Sequence, residues 1–243
     1  MSAEPRPAFY ALAPGGWRDY VTLLHPPYTL WHLSYVAIGA GLAPHLEAPR
    51  LLVALAAFFL AVGIGAHALD ELNGRPLRTQ IADRVLVALA AGSIGGAVAI
   101  GVYASLFYTL WLVPLVAAGA FIVCAYNLEL FGGSFHSDAW FAVAWGAFPL
   151  LATYLAVAEH ITVEALLAAV FAASLSLAQR HLSTQVRSMR RRVAAVQGTI
   201  ELLDGSREPM SAETLTAAPE AALRALTVAV SALAAALLAF RLA

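Results

Sequence analysis

The sequence is poor in charged residues and contains no lysine. Charged residues make up 12% of its 243 positions and hydrophobic residues 61%, with a mean hydropathy of +0.76. Soluble domains carry about a quarter charged residues. All 14 basic side chains are arginines, and the formal net charge of −1 shows no basic balance that would point to nucleic-acid binding. This balance indicates an integral membrane protein.

The chain has a single cysteine, Cys124, which lies in an apolar run. A disulfide within the chain and a cysteine-rich metal site are therefore excluded, and we expect a small buried hydrophobe at this position. The sequence also lacks a glycine-rich phosphate loop, a supportable Ser-His-Asp pattern and the histidine spacing of zinc or haem sites. Residues 1–27 lack the continuous apolar core of a signal peptide, so none is expected.

Long hydrophobic runs dominate what the sequence does contain. A transmembrane helix needs about 20 consecutive apolar residues. We identify seven runs that approach this length, and the ambiguous ends of the last two leave a count of six to eight open. The runs are 28–44, 51–69, 85–103, 106–126, 140–158, 161–178 and 221–243. The expected fold is an all-α, polytopic transmembrane helical bundle that forms one domain over residues 1–243.

The arginines are distributed unequally between the two sets of loops. The loops on one side are 1–27, 73–84, 129–138 and 181–220, and this set holds most of the arginines. In the opposite loops, Arg50 is the one arginine. The positive-inside rule then places the arginine-rich set in the cytoplasm.

This orientation predicts a protein of the bacterial inner (plasma) membrane, with its N-terminus and its active site on the cytoplasmic side. Segment 1–27 is expected to be cytoplasmic and interfacial. In segment 182–220, residues 182–204 are expected to form an amphipathic helix on the membrane surface, and residues 212–220 are expected to be a loop.

A polar cluster follows the second apolar run. Its members are His67, Asp70, Glu71, Asn73, Arg75 and Arg78. On a helix, His67, Asp70 and Glu71 share one face. Two carboxylates suit Mg²⁺, which completes its shell with water and substrate phosphates, and arginine guanidinium groups suit a diphosphate. The alternative is a set of structural ion pairs between these carboxylates and arginines at a helix end.

A second polar cluster lies at the end of the fourth run, on the same side of the membrane. Its members are Tyr126, Glu129, His136 and Asp138. Glu129, His136 and Asp138 have the side chains of a general base or of a second cation site. The alternative is a capped turn, in which Asp138 is the N-cap of the next helix.

A third polar cluster ends the sixth run. Arg180, Thr184 and Arg187 lie on one helix face, where the arginines could bind phosphate. The alternative is that they contact lipid headgroups as positive-inside arginines.

The ordered set of motifs resembles the UbiA superfamily of intramembrane prenyltransferases. The resemblance lies in Leu24-His25-Pro26-Pro27, in Asp70 followed by Pro76-Leu77-Arg78, in Tyr126, and in Trp145-Gly146-Ala147-Phe148-Pro149-Leu150. These stretches follow the family's order over residues 17–154. The chain departs from the family at Ala66-His67, where Asn-Asp is usual, and at Glu129, near the usual lysine. The second aspartate-rich motif, expected after the sixth run, is absent.

The resemblance implies an enzyme that uses Mg²⁺ to ionise a prenyl diphosphate and transfers the prenyl group to an aromatic, quinone or other lipophilic acceptor. It assigns Mg²⁺ to Asp70 and Glu71. The implied catalytic residues are Asp70, Glu71, Tyr126 and Glu129. The implied substrate-binding residues are His67, Asn73, Arg75, Arg78, His136, Asp138, Arg180 and Arg187.

The expected partners are these two substrates and membrane lipids, and not nucleic acid. Two other functions stay open. One is a terpene cyclase on the same scaffold, in which the substrate's own double bond captures the cation. The other is a non-catalytic membrane protein that binds isoprenoid, which the missing aspartate-rich motif favours.

Overall fold

The computed structural model describes residues 6–243, and most of these are helical. The helices are α1 (Trp17–Leu23), α2 (Pro26–Leu42), α3 (Ala48–Leu72), α4 (Asp83–Phe107), α5 (Leu112–Asn127), α6 (Asp138–Ala158), α7 (Val163–Arg192) and α8 (Ala212–Leu242). A short antiparallel hairpin of β1 (Thr199–Glu201) and β2 (Arg207–Pro209) lies between α7 and α8. The all-α prediction is confirmed.

Five of these helices are long and apolar enough to cross a membrane, namely α3, α4, α6, α7 and α8. Helices of this kind indicate a membrane protein, as the composition does. Helices α2 and α5 overlap the first and fourth apolar runs but are shorter, with 17 and 16 residues. The count of seven spans therefore stays a prediction.

Helix α2 packs against both α6 and α8. Its Trp31 and Tyr35 side chains are fully buried, and the Trp31 Nε1–H donates to the Tyr35 hydroxyl over 2.7 Å. Small residues permit the close approach, as is common between membrane helices. A Cβ atom at Gly39 would lie 2.4 Å from the carbonyl oxygen of Leu150 in α6. A larger residue at Gly39 would therefore push α2 away from α6.

Two of the apolar helices contain a π-helical segment, Phe59–Ala66 in α3 and Ala142–Ala147 in α6. Such segments are frequent at functional sites. Each one carries a backbone carbonyl that accepts a hydrogen bond from a histidine. His67 Nδ1–H donates to Gly63 O over 3.1 Å, and His32 Nδ1–H donates to Trp145 O over 2.8 Å. The two irregular segments therefore orient imidazole rings that line the same cavity.

The structure differs from the prediction after the sixth apolar run. There is no separate surface helix, since α7 continues unbroken to Arg192 and contains no glycine or proline that would end it. The predicted loop at 212–220 is the first part of α8, which begins with a capping box between Ser211 and Thr214. The third polar cluster therefore lies on the same helix as the sixth apolar run.

Candidate functional site

A polar cavity lies at the end of the bundle where α3 and α5 terminate and where α2 and α6 begin. Helix α7 and residues 7–10 form its remaining walls. About 90 Å³ of this cavity is free for the centres of water molecules. Six residues of the predicted site line it: His67, Asp70, Tyr126, His136, Arg180 and Arg187. Each of the three polar clusters of the sequence therefore contributes to one cavity.

Glu71 does not line the polar cavity, although its neighbour Asp70 does. The fully buried Glu71 carboxylate accepts hydrogen bonds from the backbone N–H groups of Leu77 at 2.9 Å and Thr79 at 2.8 Å. It also accepts one from the Thr79 hydroxyl at 2.9 Å. Both carboxylate oxygens are thus engaged by the loop that follows α3. The geometry favours this structural role for Glu71 over the metal-binding and catalytic role that the sequence predicts.

The remaining residues of the first cluster also lie outside the cavity lining. Arg75 forms an ion pair with Asp83, at the start of α4. The Asn73 side-chain amide donates over 3.2 Å to a backbone carbonyl at the end of α5. Arg78 likewise is not among the residues that line the cavity. The predicted diphosphate clamp of Arg75 and Arg78 is therefore not formed at this cavity.

The second cluster is divided between the cavity and its surroundings. The Tyr126 ring stacks on the His136 ring, with 4.4 Å between ring centroids. The Arg180 guanidinium donates to the Tyr126 hydroxyl and, through Nε–H, to the Asp138 carboxylate at 2.5 Å. Asp138 itself does not line the cavity. Its position suits it to orient Arg180 rather than to bind substrate directly.

The turn before α6 differs from the capped turn that the sequence suggested as an alternative. The N-cap is Ser137, whose hydroxyl accepts from the Trp140 N–H at 3.3 Å, and not Asp138. Glu129 lies outside the cavity, with 54% of its side chain exposed and its Oε1 3.9 Å from His136 Nδ1. The position of Glu129 gives no support to its predicted role as a base.

Arginines outnumber carboxylates in the polar cavity. Arg180 and Arg187 line it, and Asp70 is the one carboxylate among the described lining residues. Arg180 is paired with Asp138, whereas Arg187 donates within its own helix to the Thr184 hydroxyl at 3.1 Å. Asp138 neutralises Arg180, and the positive charges of Arg187 and Arg191 both act on His25 in the cavity wall. Guanidinium groups attract anions, and their planar donors match phosphate oxygens. The cavity is therefore suited to an anionic group.

Two histidines that sequence reasoning did not assign to the site also line the cavity, His25 and His32. The His25 ring stacks on the His67 ring, with 4.0 Å between centroids and 9° between planes. His25 Nδ1 lies 2.8 Å from the Tyr10 hydroxyl. The position of His32 in the sequence did indicate a functional residue, because an ionisable side chain inside an apolar run is costly and usually functional. His25 sits in the Leu24-His25-Pro26-Pro27 motif, but nothing in that motif shows which way its ring points.

His25 and Tyr10 are both uncharged at neutral pH. Burial, followed by the charges of His67, Arg191 and Arg187, holds the pKa of His25 well below its usual range. Burial raises the pKa of Tyr10 well above its usual range. A neutral imidazole therefore faces the cavity next to a neutral phenol.

Among the described residues, the cavity offers Mg²⁺ a single carboxylate, that of Asp70. In residues 6–243, no group of three histidine, cysteine, aspartate or glutamate side chains is arranged to hold a metal ion. Mg²⁺ is commonly bound through one or two carboxylates, with water and substrate phosphates as its other ligands. Asp70 near two arginines fits that arrangement for one ion. The described residues do not offer a second Mg²⁺ comparable ligands.

An apolar channel lies between α3, α4, α5 and α6. About 120 Å³ of it is free for the centres of water molecules. It extends from Arg50 along the helices to Val123 and Phe148. These last two residues lie about one helical turn from Tyr126 and Trp145, which line the polar cavity. The apolar channel and the polar cavity are thus separated by about one turn of α5 and α6.

Comparisons of the chain with protein-family profiles, with curated protein sequences and with solved structures find no match. The function therefore has to be inferred from the chemistry of the polar cavity and the apolar channel.

Proposed function

We propose that this chain is a UbiA-like membrane prenyltransferase, which ionises a prenyl diphosphate with Mg²⁺ and transfers the prenyl group to an aromatic, quinone or other lipophilic acceptor. The observation that carries the proposal is an arginine-bearing polar cavity about one helical turn from an apolar channel. A prenyl diphosphate has the same two parts, an anionic head and an apolar tail. The motif order of the sequence points to the same substrate.

The diphosphate would be bound by Arg187 and Arg180 through paired N–H donors, which match phosphate oxygens in geometry and charge. The ion pair with Asp138 holds the Arg180 guanidinium in place. Asp70 would hold Mg²⁺ jointly with the diphosphate oxygens. When bound, Mg²⁺ supplies positive charge that stabilises the departing diphosphate.

The prenyl tail would occupy the apolar channel. In the wall of the polar cavity, about one helical turn beyond the channel, the aromatic rings of Tyr126, Phe141 and Trp145 pack together. The distance is 4.4 Å between the Tyr126 and Trp145 centroids and 5.8 Å between those of Phe141 and Trp145. Ring faces stabilise a nearby cation and exclude water. These rings would therefore protect the allylic cation until the acceptor captures it.

We further propose seven membrane-crossing helices, with the polar cavity on the cytoplasmic side of a bacterial plasma membrane. The arginine distribution between the loops supports this orientation. In a Cys124→Ala background, a cysteine introduced at Ser206, in the hairpin, should resist an impermeant maleimide added to intact cells. A cysteine introduced at His160 should react. The reverse labelling pattern would contradict the orientation.

The enzymatic test uses purified protein in lipid nanodiscs with Mg²⁺ and prenyl diphosphates of ten to twenty carbons. Release of diphosphate, followed with and without quinone and aromatic acceptors, is the expected result. Hydrocarbon or terpene alcohol formed without any acceptor would show cyclisation instead of transfer. Absence of release at every chain length and with every acceptor would overturn the proposal.

A non-catalytic isoprenoid-binding protein is the second candidate function. The observation that favours it is that only one carboxylate, Asp70, is found among the cavity residues in 6–243, because fewer hard oxygen ligands bind Mg²⁺ more weakly. Tight binding of a prenyl diphosphate without its turnover, unaffected by EDTA, would support this candidate over the enzyme.

A further inference from the structure

A polar contact lies at the far end of the apolar channel, the end opposite to the polar cavity. Arg50 lies in the first turn of α3, and Tyr108 directly follows the last residue of α4. Both side chains line the channel, and the Arg50 guanidinium carbon lies 4.6 Å from the centroid of the Tyr108 ring. A guanidinium over an aromatic face is held there by a cation–π attraction. The two side chains therefore meet across this end of the channel.

Hydrogen bonds to the end of α6 fix Arg50 in this position. Its Nη1 group donates to the backbone carbonyls of Ala156 at 2.9 Å and Val157 at 3.4 Å, and to the Glu159 carboxylate at 2.8 Å. The last carbonyls of a helix have no partner within it, so Arg50 pairs with acceptors that the helix leaves free. An apolar chain that displaced Arg50 would break these bonds and replace none of them, which is costly at a partly buried site. The far end of the channel is therefore a barrier to a hydrocarbon tail.

The length available to a tail can be measured along α5. Leu112, at the start of α5, lines the channel near its far end, and Tyr126 lines the polar cavity. From Leu112 to Tyr126 the helix rises about 21 Å, at about 1.5 Å per residue. An extended chain advances about 1.2 Å per bond, as the reach of an extended polypeptide implies. The sixteen main-chain carbons of a geranylgeranyl group then span about 18 Å, and a fifth isoprene unit brings the span to about 23 Å.

We propose that Arg50 and Tyr108 set the length limit of the prenyl substrate, so that geranylgeranyl diphosphate is the longest donor whose tail the channel accommodates. This inference rests on the proposed prenyltransferase function. It adds the chain length of the donor and the residues that select it. A tail of five isoprene units has to displace Arg50 or leave the channel between the helices.

Two substitutions should shift the limit in opposite directions, which general damage to the fold does not do. Tyr108→Ala removes the ring beneath the Arg50 guanidinium and lengthens the channel. Ala104 lines the channel one helical turn before Tyr108, so Ala104→Leu shortens the channel by about 6 Å, or about one isoprene unit. Ala91→Leu is the matched control, because Ala91 is exposed on the same helix and is not among the described residues that line the channel.

The probes are prenyl S-thiolodiphosphates of fifteen, twenty, twenty-five and thirty carbons, in which sulfur replaces the bridging oxygen so that the analogues bind but ionise slowly. They are titrated into the protein in lipid nanodiscs. For wild type, the Kd should be lowest at twenty carbons and about tenfold higher at twenty-five, because the fifth unit costs the polar contacts of Arg50. The kcat/KM values of the matching diphosphates should follow the same order.

The variants should change this order in a defined way. Tyr108→Ala should bind the twenty-five-carbon analogue about as tightly as the twenty-carbon one. Ala104→Leu should raise the Kd for twenty carbons about tenfold through overpacking and leave the Kd for fifteen carbons unchanged. Ala91→Leu should behave as wild type with every analogue.

The binding series distinguishes failure of this inference from failure of the proposed function. A length limit that moves as expected, in a protein that never releases diphosphate, would retain the limit and overturn the enzyme. Release of diphosphate without preference among twenty, twenty-five and thirty carbons would overturn the limit alone, and so would a preference that neither variant shifts. A phospholipid that native mass spectrometry detects in the purified protein, and that the twenty-carbon analogue does not displace, would show that an acyl chain fills the channel instead.

Discussion

The loop after α3 and the inner face of α7 carry similar side chains but use them differently. In the loop, residues 73–82, polar groups bond to the adjacent Glu71, to the loop backbone and to the neighbouring helices. On α7, Gln179, Arg180 and Arg187 face the polar cavity. Backbone N–H groups in a loop have no helical partner, so they donate hydrogen bonds to nearby side-chain acceptors. The backbone N–H and C=O groups inside a helix are already paired with each other. Arg180 and Arg187 also have local partners, but both still line the cavity, where a ligand can reach them.

The contrast is sharpest between Asp70 and Glu71, which are adjacent in α3. The largest expected effect is that of Asp70→Asn, which removes the one carboxylate that the described part of the chain places in the cavity. We expect diphosphate release to fall about 100-fold or more, since such preorganised charges contribute on this scale. The melting temperature should stay close to that of wild type. Full activity of this variant would show that Asp70 does not contribute to diphosphate release. Asp83→Asn serves as the control for loss of an acidic side chain.

The second prediction tests the α7 face. Arg187→Gln should raise the KM for the prenyl diphosphate by about 10- to 100-fold, because a hydrogen bond to a charged group contributes about 1.5–3 kcal/mol. The matched control is Arg192→Gln at the exposed end of the same helix. Steady-state kinetics on both variants makes the comparison. Equal effects of the two substitutions would show that α7 acts through its general charge and not through a specific contact.

The third prediction tests the structural role of Glu71. In Glu71→Gln, an NH₂ group replaces one oxygen that accepts from the loop backbone. The unfolding free energy should fall by about 1–3 kcal/mol, the cost of leaving a buried donor unpaired. Activity per folded molecule should remain within twofold of wild type. Thermal unfolding in detergent measures the change in stability, and assays on the folded fraction measure the activity. A stable but inactive variant would indicate that Glu71 is catalytic, as the sequence predicts.

The smallest effect is expected at the surface of the loop. Asp83→Asn removes the ion pair with Arg75, and 77% of the Asp83 side chain is exposed to solvent. Exposed pairs contribute about 1 kcal/mol or less, so both stability and activity should be almost unchanged. A marked loss of activity would show that the Arg75 pair positions α3, and it would weaken the contrast between the loop and α7.

Part of the candidate site could be predicted from the sequence. His67 and Asp70 were placed by their helical spacing, and both line the cavity together with Tyr126 and Arg180 from distant parts of the chain. The same spacing misplaced Glu71, because the loop after α3 folds back and supplies donors to its carboxylate. Helical periodicity predicts on which face of a helix a side chain lies, but it does not predict which groups from other segments contact that face.

The sequence by itself indicated a helical membrane protein and the apolar parts of its helices, because long apolar runs and sparse charge are properties of local stretches. It also determined the three polar clusters at the ends of the apolar runs. The tertiary structure alone decided which polar groups reach the cavity. The orientation of Glu71, the stacking of His25 on His67 and the unpaired amide of Gln179 all depend on neighbours brought together by packing. In an apolar bundle, a polar group pairs with whatever packing places beside it, and a single stretch of sequence does not specify that partner.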